Sequence, residues 1–116
     1  VIDHLDSITV VRPATSTDAY GSTVYDWANA TRTVVHGVAV LPMSQHESGT
    51  GVFRDVVTTG WRVYSKPGLD IDLTAYDRVE WRGLDLEVVG EVARWPHPLR
   101  RGAIHHIEAS LQRRTG

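Results

Sequence analysis

The chain has 116 residues, a formal charge of −2 from 12 Lys and Arg against 14 Asp and Glu, and no cysteine. That length makes one domain, residues 1–116, able to bury its own core without metal or disulfide support. The missing thiols exclude a cysteine nucleophile and a thiolate-bound metal, and the near-neutral balance excludes binding to nucleic acid through overall charge, leaving only a local basic patch for that purpose.

VIDHLDS at the start lacks a basic stretch followed by an apolar one, so no signal peptide is expected, and no run approaches the ~20 apolar residues of a membrane span. Residues 5–12 are rich in β-branched side chains, with Ile8 and Val10 on one face and Thr9 and Val11 on the other, and Pro13 is expected to end this strand. TSTDAYGST, residues 15–23, has the composition of a turn, and Val24, Tyr25 and Trp27 suggest a short strand after it. Residues 31–41, TRTVVHGVAVL, are apolar on both faces around Gly37, as in a strand buried on both sides or one bent by a bulge at the glycine.

Residues 42–53, PMSQHESGTGVF, show no periodicity and exceed the usual hairpin loop in length, as functional or mobile loops often do. Strand character returns over residues 55–64, where Val57, Thr59, Trp61 and Val63 share a face opposite Arg62 and Tyr64. SKPGLDID, residues 65–72, reads as a Pro-Gly turn followed by acidic residues.

Residues 77–90, DRVEWRGLDLEVVG, form the clearest unit, a hairpin turning at Arg82-Gly83. A two-residue loop sets Trp81 against Leu84, Val79 against Leu86 and Arg78 against Glu87, leaving Glu80 opposite Asp85 as a misfit. A four-residue turn would keep the faces and put Glu80 opposite Glu87, so both remain open. Residues 91–101 are expected to be irregular, fixed by Pro96 and Pro98, and from Ala103 onward His105, Ile107, Ala109 and Leu111 alternate with polar residues as a last half-buried strand. With no helical periodicity and no repeat, an all-β sandwich or small barrel is expected, and closure would leave no free edges.

No catalytic, metal or cofactor site is expected. The six histidines lack ligand spacing, and His105 and His106, adjacent on a strand, face opposite ways and cannot share an ion without a bulge. Asp70, Asp72 and Asp77 lack the glycine and terminal glutamate of a helix-loop-helix calcium site and read as a solvated acidic turn. Nothing resembles a nucleophile elbow or a phosphate-cradling loop, so an enzyme is not expected. Trp61 and Trp81 align with apolar neighbours as core residues. Trp95, close to Arg94, Arg100 and Arg101, is the candidate rim contact with a partner, or the binding patch of a small nucleic-acid-binding β-barrel, whose affinity would fall steeply with salt.

Taken in order, DAYG at 18–21, DW at 26–27, GVAVLP at 37–42 with Glu47 beyond, PGLDID at 67–72, the DRVEWRG and EVVG hairpin, Arg94-Trp95-Pro96, and HIEASLQR at 106–113 resemble the head-to-tail stopper, or head-closure, proteins of long-tailed bacteriophages, particularly phages of actinobacteria. The motifs cover nearly the whole chain; Leu86 stands where such hairpins often carry an aromatic residue. The resemblance implies a small antiparallel β-barrel that forms a six- or twelve-fold ring in the virion neck, assembled in the host cytoplasm. On that footing residues 42–53 are expected to project toward the channel or an adjacent ring, with Gln45, His46 and Glu47 near the tip and Gly49 and Gly51 letting the loop rearrange as DNA passes. Implied partners are further copies of the chain, the adaptor of the portal complex, and the tail terminator or tail tube. Genomic DNA would pass the lumen without sequence-specific binding. Each subunit of such a ring must present two different contact surfaces, and the strand at 31–41 is a candidate for one. Other virion components, such as a tail terminator or a head decoration protein, are the neighbouring alternatives.

Overall fold

A computed structural model describes residues 4–45 and 57–114. These residues form six strands: β1 (Asp6–Thr17), β2 (Thr23–Gln45), β3 (Val57–Ser65), β4 (Arg78–Trp81), β5 (Leu84–Pro96) and β6 (Ile104–Arg113). Each pairs antiparallel with its neighbours in the closed order β1-β2-β3-β6-β5-β4, a small β-barrel. It consists of two three-stranded meanders, β1-β2-β3 and β4-β5-β6. Two seams join them: Thr9, Val10 and Val11 face Glu80, Val79 and Arg78 along one, and residues 60–64 of β3 face residues 112–108 of β6 along the other.

Alternation supplies the core. Ile8 and Val10 of β1, Val38 of β2, Val63 of β3, Val79 of β4, Leu86 of β5, and Ile107, Ala109 and Leu111 of β6 all point inward and are buried. Trp61 and Trp81 pack against this cluster with ring centroids 6.1 Å apart, as the apolar alignment predicts. The Trp81 indole N–H donates to Asp6 Oδ2 at 2.8 Å, which satisfies the polar edge of a large, half-buried ring.

The β4–β5 hairpin takes the two-residue loop. Trp81 faces Leu84, Val79 faces Leu86, and both loop residues are left-handed, Arg82 with φ 48° and Gly83 with φ 78°. The misfit of Glu80 opposite Asp85 is resolved from elsewhere: Arg32 Nε donates to Glu80 at 2.7 Å and Arg114 Nε to Asp85 at 2.9 Å. Of the two readings of residues 31–41, the bulge at Gly37 is the one present, because Asp6 faces Val38 while Ser7 faces His36 and Gly37 between them has φ 82°; burial on both sides is not, since residues 31–34 are exposed.

Four expectations are corrected. Pro13 does not end β1; it falls in the register shift between Arg12 and Ala14, where no ladder hydrogen bond is demanded of its nitrogen. The short strand at Val24, Tyr25 and Trp27 and the strand at 31–41 are one element, β2, with residues 27–30 bulging out opposite Pro13. Residues 91–96 are not irregular but belong to β5, whose alternation is broken by a bulge between Val89 and Ala93. Pro42, Met43, Ser44 and Gln45 lie in β2, paired to β3, rather than in a loop. The rest of the expected loop, including His46, Glu47, Gly49 and Gly51, lies outside the described residues.

β1 and β5 flank β4 and both run antiparallel to it, so their continuations leave the barrel at the same end, where β4 begins. There β1 and β2 extend as one two-stranded arm and β5 and β6 as another. A strap, residues 66–77, crosses between the arms from β3 to β4. Its Ile71 and Leu73 are buried in the core cluster and close that end of the barrel, each contributing roughly 1.5–3 kcal/mol by burial. The β2–β3 hairpin leaves at the opposite end.

Candidate interaction surfaces

The strap is gripped from both arms by arginines. Arg12 continues the inward face of Ile8 and Val10, and its guanidinium donates to Asp77 through Nε at 3.1 Å and Nη2 at 2.9 Å. The same group reaches the Asp72 carboxylate at 2.8 Å and the Asp72 carbonyl at 2.9 Å. Asp77, 2% exposed, also accepts the Thr74 N–H at 2.8 Å. From the other arm Arg94 donates to the carbonyls of Ile71 at 3.0 Å and Leu73 at 2.9 Å, and pairs with Asp70. The carboxylates raise the Arg12 pKa further above its ordinary value, and Arg12 in turn lowers that of Asp72. The expected solvated acidic turn is therefore corrected: Asp77 is a buried clasp residue, and Asp70 and Asp72 are outer halves of ion pairs. The available signal was Arg12, a charge in line with two core residues. Its partners, more than fifty residues away, were invisible to spacing.

Trp95 and Arg94 point to opposite sides of β5, so the four proposed rim residues do not form one patch. Arg94 faces the strap. Trp95, 49% exposed, lies on the outer face with its ring stacked 5.9 Å from His106. Arg100 and Arg101 are exposed on the turn between β5 and β6. Of the projected loop-tip residues, Gln45 ends β2 and the others fall outside the described residues.

His105 and His106 do meet. Trp95 faces His106 while Pro96 faces Ile104, so His105 is the extra residue of a bulge, which turns its ring toward its neighbour and places the two Nδ1 atoms 2.8 Å apart. His106 Nε2 lies 2.8 Å from Glu108, which accepts from Arg62 at 3.3 Å; Arg62 also donates to the Ser110 hydroxyl at 2.7 Å. Among the described residues, no three His, Asp or Glu side chains are arranged to hold a metal ion. The row of rings and charges stiffens the outer face of β6.

The other arm is tied down on its outer side. The Arg78 guanidinium sits 3.5 Å from the centre of the Trp27 ring, and Tyr25 stacks on Tyr76 of the strap at 5.7 Å. Burial, aided by the charge of Arg114, lowers the Arg78 pKa. On the inner side a groove of about 230 Å³ runs between β2 and the strap, lined by Val10, Arg12, Thr31, Thr33, Val35, Ile71 and Asp72.

Near the opposite end of the barrel, the Trp81 indole hydrogen bond holds the Asp6 carboxylate below its ordinary pKa, with Ser7 N–H and Arg82 adding to the effect. A lowered folded-state pKa contributes stability above the unfolded value of about 4, lost as pH falls through the folded value. Asp6→Asn is therefore expected to flatten the decline in melting temperature below about pH 4, while its oxygen still accepts the indole proton. Thermal melts from pH 7 to pH 2 check this, and parallel acid limbs would refute it.

No protein-family model matches the chain, and no curated protein sequence matches it. The fold is similar to the solution structure of protein SF1141 from Shigella flexneri 2a, with a TM-score of 0.58 at 17% identity over 97% of this chain and 95% of that one. At that identity the likeness concerns the fold alone.

Proposed function

We propose that this chain is a structural subunit of a phage neck: a head-to-tail stopper that forms a ring, closes the DNA channel after packaging and joins the portal complex to the tail. The observation that carries the reading is where the resembling motifs fall on the closed barrel. DAYG forms the tip of the β1–β2 arm, PGLDID the turn and first half of the strap, DRVEWRG the β4–β5 hairpin, and HIEASLQR the body of β6. Each is a structural device rather than a reactive group, as a mechanical role requires. In support of contacts at more than one level, the arms and strap occupy one end of the barrel and the β2–β3 hairpin leaves from the other.

The role is one of assembly rather than catalysis, in the neck of the virion. A lumen lined by such a chain would let DNA pass, because phosphate binding grows with each Lys or Arg engaged and the net charge is −2. A nucleic-acid-binding barrel using Arg94 and Trp95 together is less well supported, since Arg94 is engaged with the strap.

The test is the number of copies per purified virion, by quantitative mass spectrometry against the portal protein. The expected value is on the order of ten, one ring at one vertex. Hundreds of copies would instead indicate a decoration or tail-tube protein, and absence from the particle would overturn the proposal.

A further inference from the structure

The barrel is closed at its waist but not along its arms. β3 pairs with β2 only from Val38 onward, so among the described residues the edge of β2 over residues 23–36 has no strand beside it on the side away from β1. On the opposite flank, β4 pairs with β5 only as far as Glu87, so among the described residues the edge of β5 beyond it has no partner strand on the side away from β6. Unpaired edges are templates for strand addition. Thr31, Thr33 and Val35, alternate residues of β2, line the groove against the strap, so the inner face along this edge is open.

Among the described residues, the exposed large apolar side chains that lie on strands are all on these two: Val24, Tyr25, Val34 and Leu41 of β2, and Val89 and Trp95 of β5. The two edges lie on opposite flanks, and their strands run in opposite directions through the barrel. Copies related by rotation about an axis parallel to the barrel would therefore bring β5 of one antiparallel against β2 of the next. Bulges at residues 27–30 and 90–92 restrict the match to short, regular runs.

We infer that copies of this chain associate head to tail by strand pairing, residues 93–96 of one copy against residues 31–34 of the next. Val34 and Trp95 then share the outer face of the continued sheet. The second copy is the fitting occupant because the chain itself supplies the complementary edge, apolar on its outer face and opposite in direction. The inference rests on the ring reading above and specifies its contact.

The chain's lack of cysteine makes a direct test available. Val34→Cys and Ala93→Cys, singly and combined, are treated at high protein concentration with a short bifunctional thiol reagent, which tolerates a register slip of a residue. The double variant is expected to give a ladder of multimers, a mixture of the two single variants only dimers, and each single variant alone none. If Ala93→Cys lacks a cooperative unfolding transition, Trp95→Cys, on the same face, replaces it. A double variant that stays monomeric overturns the inference, as does efficient dimerisation of a single variant, which would mean an edge meeting its own copy. A ladder with the wrong copy number in virions would remove the neck reading and keep the contact. About ten copies per virion with no cross-link would do the reverse.

Discussion

Gly60→Ala is expected to lower stability by about 3 kcal/mol and the melting temperature by about 10 °C. Gly60 is buried in the β3–β6 seam opposite Gln112, and a Cβ built on it would overlap the carbonyl oxygen of Leu111. The obstacle is backbone rather than the end of a flexible side chain, and a closed barrel cannot widen at a single seam without disturbing the next. Gly21→Ala is the control. Gly21 has φ 83° and open space around it, so alanine there carries only the left-handed penalty of roughly 1–2 kcal/mol. Urea denaturation of both variants decides the matter; equal losses would mean that the seam is not closely packed at Gly60.

Asp77→Ala is expected to cost about 3 kcal/mol and Asp72→Ala far less, although both carboxylates bind Arg12. The difference is environment. Asp77 is buried and accepts three hydrogen bonds, from Arg12 twice and from the Thr74 N–H, so its removal leaves three part-buried donors without their acceptor. The Asp72 side chain is 82% exposed, and water replaces what it loses. Loosening the strap would also loosen Leu73, so the Asp77→Ala transition should be less cooperative as well as lower. Thermal denaturation of the two variants side by side is the check, and similar losses would mean that the buried clasp is no more than a surface ion pair.

The β4–β5 hairpin was legible because both of its controls are local: strict alternation from Val79 to Val88, and a glycine at the turn. The core faces of β1 and β6 were legible for the same reason. Pro13 misled because a proline at a bulge gives up no ladder bond, and alternation does not announce a bulge beforehand. Residues 90–92 broke the pattern of β5 in the same way, and the extra residue at His105 reversed the facing of two histidines. The strap was beyond reach for another reason. Asp77 and Asp72 look alike in a string of letters, and only Arg12, brought over from the first strand, distinguishes them. Arg94 and Trp95, adjacent in the chain, were grouped by proximity, whereas strand geometry sends them to opposite sides.

The division into two meanders also bears on how the chain reaches its native state. Every pairing within β1-β2-β3 and within β4-β5-β6 joins consecutive strands, whereas both seams join residues far apart in sequence. Local hairpins close quickly and distant pairings late, so each half is expected to form before the barrel shuts. Until then four strand edges stand open, and the second half of another chain offers the same pairing as the chain's own. The strap works against that exchange. Clasped by Arg12 from the first half and Arg94 from the second, it keeps the two halves of one chain together, so the device that caps the barrel also favours closure within a single molecule over domain swapping.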